Sequence, residues 1–123
     1  MKNLTTALKA LGDPTRLRIA CLLSLKPLCV CQLMEILNIS QPKTSRHLAV
    51  LRQAGLVECT KKAQWSWYQA ASHQLLEAVY SLAADTEQVV KDRTRMEGLD
   101  LDLICEKPLT DNERSNYNAN DNY

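Results

Sequence analysis

No apolar run in the 123 residues approaches the roughly 18 consecutive positions of a membrane-spanning helix. The opening MKNLTTALKALGDP lacks the continuous apolar centre of a signal peptide. These two absences predict a cytoplasmic protein. There is no internal repeat, and 123 residues are enough for a single small domain with one modest core. In a reducing compartment the five cysteines do not form a disulfide framework, so packing, metal binding or thiol chemistry must account for them. None precedes Cys21. Histidine is nearly as scarce, with only His47 and His73.

The net charge of +1 hides a division along the chain. Residues 1–71 carry ten Lys/Arg against Asp13, Glu35 and Glu58, which is +7; residues 72–123 carry five against eleven, which is −6. A basic front half points to a polyanionic partner.

Leu4, Ala7, Leu8 and Leu11 recur at helical spacing and stop at Gly12, predicting a short helix over 3–11. Asp13 and Pro14 then supply an N-cap and a first-turn proline for a second helix, apolar on most sides and ended by Lys26-Pro27. A short helix over about 30–37 closes at Asn38. Ser40 caps a longer one, with Pro42 in its first turn and Gly55 after its end. LVECT and QWSWYQA have strand character with KKA turning between them, predicting a hairpin. From His73 to about Asp92, Leu76, Val79, Tyr80, Ala83 and Val90 mark one long amphipathic helix whose wide stripe suggests a dimer seam. Past Arg93 the pattern fades, and TDNERSNYNANDNY predicts disorder beyond about residue 110. The expected domains are therefore 1–92, for DNA binding and dimerisation, and a tail over 93–123. This order of elements is that of a winged helix-turn-helix, mainly α with a β-hairpin wing.

Within that fold the capped helix is the reader of the major groove. Gln41, Lys43, Ser45 and Arg46 cluster at its start, where the helix dipole and open N–H groups favour phosphate. Arg46 can pair bidentately with guanine and Gln41 with adenine. Lys61, Lys62 and Gln64 at the wing tip suit phosphate or minor-groove contact. His47, beside the buried stripe, serves either packing or DNA. Trp65, Trp67 and Tyr68 are expected to pack the hairpin.

Cys21, inside the apolar helix, and Cys59, on a strand, are expected core fillers. Cys29 and Cys31 are different, because they flank a helix start where the dipole favours thiolate. Were both on a regular helix they would lie about 200° apart around the axis, so sharing one ion would force the backbone out of helical geometry. With no His or carboxylate nearby, the pair selects soft thiophilic ions. Met34 is a poor substitute for a third sulfur, and Cys105 in LDLICEK is the favoured candidate, from either subunit. A thiol–disulfide enzyme is disfavoured, since such enzymes want Cys-x-x-Cys after a strand and no strand is expected before Cys29.

LGDPTRLRIACLL, LCVCQL, SQPKTSRHLAVLRQAGLV and QWSWYQ closely resemble the ArsR/SmtB metalloregulatory repressors, over about residues 4–92, and are most similar to the arsenic-responsive branch. The resemblance implies a homodimer, with the first and long C-terminal helices as its seam, that binds operator DNA and is released when As(III) or Sb(III) binds cysteine thiolates. It implies no cofactor for folding and no enzymatic activity. Arsenic sensors of this type commonly carry a third cysteine three residues after the second, where this chain has Met34. Cadmium and lead sensors add cysteines near the N-terminus, and the zinc, cobalt and nickel sites need His and carboxylate pairs on the long helix, where His73 stands alone. A redox- or persulfide-sensing repressor, or a cadmium- or lead-sensing one, is the alternative on the same fold.

Overall fold

Asp13 starts the central element. Its carboxylate accepts the N–H of Arg16 at 3.0 Å, and Pro14 follows at the first helical position, where no N–H is needed. In the computed structural model, which describes residues 2–62 and 64–106 apart from the side chains of Lys2, Cys105 and Glu106, this helix is α2, Pro14–Leu25. Ile19, Ala20, Cys21, Leu22 and Leu23 are buried in unbroken succession. A helix buried on all sides has elements packed all round it, and α2 touches most of the molecule. The order is α1 Lys2–Leu11, α2, β1 Leu28–Cys29, α3 Val30–Leu37, α4 Gln41–Gln53, β2 Val57–Lys62, β3 Trp65–Ala70, α5 Gln74–Ala83, α6 Glu87–Gly98 and α7 Leu101–Glu106. Ile19, Leu22, Leu28, Leu33, Ile36, Leu48, Leu51 and Leu56 form the fully buried centre, each worth about 1.5–3 kcal/mol of transfer free energy.

The helix-turn-helix is set by two caps. Asn38 closes α3 in the left-handed conformation (φ 55°), which its short polar side chain tolerates, and its N–H returns to the Met34 carbonyl. Two residues on, Ser40 opens α4: its Oγ accepts the N–H of Lys43 at 3.3 Å. Thr44 donates its hydroxyl to the Ser40 carbonyl at 2.8 Å. Gly55 (φ 76°) turns the chain from α4 into the wing. There β2 and β3 pair antiparallel from Val57↔Ala70 to Lys62↔Trp65. Lys61 and Lys62 therefore belong to the strand and not to the turn, still at the wing tip.

Three expectations need correction. Instead of one helix over 73–92, α5 ends at Ala83 and α6 begins at Glu87. Thr86 N–H (3.0 Å) and Oγ1 (2.7 Å) both donate to the Ala83 carbonyl, closing a turn that the apolar spacing does not register. Nor does the packed domain stop near 92: Met96 and Leu101 are core residues of α6 and α7. The expected tail boundary cuts α6, and the predicted disorder beyond about 110 lies outside the described residues. Finally, a strand does precede the helix carrying Cys31, because Leu28 and Cys29 pair with Tyr68 and Trp67. The sheet order is β1-β3-β2, so the wing gains a third, edge strand.

The C-terminal helices are fastened by polar contacts as well as apolar ones. Asp92, only 3% exposed, receives Arg18 Nε at 2.8 Å, its second nitrogen at 2.9 Å, and Gln88 Nε2 at 3.0 Å. A buried carboxylate needs such a set of donors to remain charged. Arg95 Nε donates to the Glu35 carbonyl at 3.1 Å, placing a cation at the C-terminal turn of α3.

Candidate DNA-reading surface and thiol site

Along the first two turns of α4, Lys43 and Arg46 are exposed and Ser45 is half-buried. Lys61, Lys62 and Gln64 are exposed at the wing tip. Gln41, expected to pair with a base, is the least open of the group. It is 8% exposed, and its Nε2 donates to Ser45 Oγ at 2.7 Å, so this amide orients Ser45 from beneath the surface. Its Oε1 is buried without a hydrogen-bond partner. His47 is half-buried, with Nδ1 3.3 Å from an Arg16 guanidinium nitrogen. Arg16 also donates through Nε to the Ala10 carbonyl at 2.6 Å, so the end of α1, the start of α2 and the middle of α4 meet at one guanidinium. Burial lowers the His47 pKa; Asp13 opposes that, and Arg16, Lys43 and Arg46 add to the lowering. A neutral ring accepts at Nδ1, which fits the Arg16 contact. Trp65, Trp67 and Tyr68 are half-buried, and Tyr68 packs on the core.

Cys29 and Cys31 sit at a junction of three elements. Cys29 is extended (φ −92°, ψ 171°), buried, and serves as both the last residue of β1 and the N-cap of α3. Cys31, half-buried, is the second residue of α3. The two are therefore not both helical, and the 200° separation of a regular helix does not describe them. Neither is in a disulfide, and the same holds for Cys21 and Cys59. Cys21 behaves as the expected core filler: burial, and then the neighbouring Asp92 charge, push its thiol up to about 11. Such a thiol stays protonated and unreactive at neutral pH. Cys59 is half-buried opposite Tyr68. Cys105 lies in α7, but its side chain is outside the described residues. Met34 is half-buried, and His73 uses Nδ1 to accept the Leu75 N–H at 3.1 Å as the N-cap of α5.

Gln32 went unread in the sequence. Its Oε1 accepts the Cys29 N–H at 3.0 Å and its Nε2 donates to the Leu101 carbonyl at 3.0 Å. The signal was present, since Cys29-x-x-Gln32 has the spacing of a capping box with cysteine in the Ser/Thr place. Among the described residues no three His, Cys, Asp or Glu side chains are grouped to hold an ion. Two thiols are the soft donors at this junction, in keeping with a thiophilic ion, and by themselves they do not make a closed site.

Residues 13–58 match the family described as bacterial regulatory protein, arsR family. The arsenic resistance transcriptional regulator ArsR2 of Pseudomonas putida is 38% identical over 108 residues, spanning 79% of this chain and 92% of that protein. The chain belongs to the ArsR family. It is a DNA-binding transcriptional repressor of that family and not an enzyme. The arsenical resistance operon repressor of Escherichia coli is 52% identical over 66 residues, covering 53% of this ArsR-family chain and 56% of the relative. Among solved structures, reduced HlyU from Vibrio cholerae superposes with a TM-score of 0.62 at 36% identity, over 68% of this chain and 86% of that one. No helix among the described residues is long and apolar enough to cross a membrane.

Proposed function

We propose that this ArsR-family protein is a cytoplasmic, metalloid-responsive repressor. It binds operator DNA as a homodimer and lets go when As(III) or Sb(III) is taken up by Cys29 and Cys31, with Cys105 as the third sulfur. The names of the relatives support arsenic as the inducer. One observation carries the mechanism: Cys29 pairs with Trp67 in the wing strand β3 and caps α3, which packs on α4. A ligand that moves Cys29 acts on both DNA-facing elements at once.

The geometry makes occupation and DNA reading compete. Bonds of about 2.3 Å to one soft ion bring two sulfurs within about 4 Å of each other. Cys29 is buried in the capped arrangement, so an ion reaches it by opening the first turn of α3 or the end of β1. That strain passes through α3 to Lys43, Ser45 and Arg46, and through β3 to Lys61, Lys62 and Gln64. Gln41 and His47 act from below, holding Ser45 and the α4 backbone in place. Coupling of this kind is worth about 1–3 kcal/mol per site. The dimer seam is assigned to α1 and to the segment over 73–92, which forms α5 and the start of α6; Leu4 (44%), Leu8 (51%) and Leu82 (81%) are exposed apolar side chains there in the single chain. None of these helices contains the thiols, so release leaves the dimer whole.

The competing reading is a sensor of oxidants or persulfides, or of cadmium or lead, acting on the same cysteines. Titration of the operator complex, followed by fluorescence anisotropy under anaerobic reducing conditions, separates them. Arsenite and antimonite should release DNA at lower concentration than cadmium or lead. Release only by a disulfide-forming oxidant or a polysulfide would replace the metalloid with a redox signal.

A further inference from the structure

Gln32 is 2% exposed, and one amide joins three elements: the end of β1 through the Cys29 N–H, the first turn of α3 on which it stands, and the first residue of α7 through the Leu101 carbonyl. A six-residue helix such as α7 is too short to persist by its own hydrogen bonds, so its order depends on docking. Its anchors are buried Leu101, half-buried Ile104 against the core, and the Gln32 bond. Cys29 supplies the N–H that fixes Gln32, and Cys31 directly precedes it. A ligand that gathers both sulfurs must therefore disturb the residue that holds α7.

We propose that Gln32 is a positioning residue coupling the thiol pair to α7, so that occupation of Cys29 and Cys31 breaks the Gln32 bridge and undocks α7. This rests on the thiol pair being the ligand site. Because coupling is reciprocal, a docked α7 opposes thiol occupation, and loosening it raises affinity for a dithiol reagent. Gln32→Glu separates the two bonds: it keeps an acceptor for the Cys29 N–H but turns a carboxylate oxygen toward the Leu101 carbonyl. Gln32→Leu removes both bonds at similar volume.

The test uses phenylarsine oxide on the full chain carrying Cys105→Ser, so that no third sulfur tethers α7. The reagent forms two As–S bonds, two S–H protons leave with its oxygen as water, and arsenic stays trivalent. Intact mass reads the adduct and hydrogen exchange reads residues 101–106. The expected result is one adduct that needs Cys29 and Cys31, with exchange over 101–106 faster on the order of tenfold. In the Gln32→Glu and Gln32→Leu variants that exchange is already fast without reagent, the adduct adds nothing to it, and the reagent binds several-fold more tightly, on the order expected for allosteric coupling. An adduct that leaves 101–106 protected, or variants with α7 as protected as in the parent, would overturn the coupling alone. No adduct at Cys29 and Cys31 would overturn the thiol site itself.

Discussion

Arg46 and Lys62 carry different kinds of information in the proposed complex. Arg46 is exposed in the second turn of α4, where a guanidinium can reach the two acceptors of guanine. Arg46→Ala should weaken operator binding by about 1–3 kcal/mol and relax preference at one base pair. Lys62 ends β2 at the wing tip, so Lys62→Ala should weaken all sequences alike and flatten the salt dependence by about one counterion. Anisotropy against operator and scrambled duplexes at several salt concentrations checks both; unchanged operator affinity in both variants would move the reading surface elsewhere. At this scale the sequence was legible where a residue acts through its own cap or exposure, as Asp13, Asn38, Ser40 and Gly55 do. It was not legible for Gln41 and Gln32. A glutamine beside a helix start reads as a surface donor, and only the folded chain shows which partner each amide meets: Ser45 four residues away, and Leu101 sixty-nine residues away.

The elements most exposed to pH are α1, α2 and α4, joined where Arg16 meets His47. With its pKa held below 6.5 in the fold, chiefly by burial, His47 is protonated more readily in the unfolded chain. Its contribution to stability is full above pH 6.5 and is lost as pH falls through the lower folded value. Melting temperature should therefore decline from pH 7 towards 5 in the wild type and less steeply in His47→Gln, with the window of Asp13 lying lower, below its ordinary 3.8. Parallel melting profiles for the two proteins would show that the Arg16 contact does not depend on a neutral ring. The elements also show why one boundary was missed. Leu76, Val79, Tyr80 and Ala83 pack α5 on the core, and Val90 keeps their spacing across the break although the buried residue of α6 is its neighbour Val89. Periodicity records burial, while the turn at Thr86 is made by hydrogen bonds to one carbonyl. Strand β1 was hidden for the opposite reason: two residues are too few for any alternation, and the pairing partner is supplied by the wing.

Across the whole molecule, the basic half of the chain holds the candidate reading helix and the wing, while the acidic half folds back onto the helices beneath them, through Asp92 to α2 and through Arg95 and α7 to α3. The thiol pair sits where these halves meet, between the wing strand and the helix that positions the reader. The central claim is that one pair of sulfurs controls one DNA surface. Arsenite titration of the operator complex formed by the Cys29→Ser, Cys31→Ser double variant tests it most directly. The account predicts operator affinity close to wild type without arsenite, no release at concentrations that free the wild-type complex, and a dimer by light scattering throughout. A double variant that still releases its operator at the wild-type arsenite concentration would contradict it.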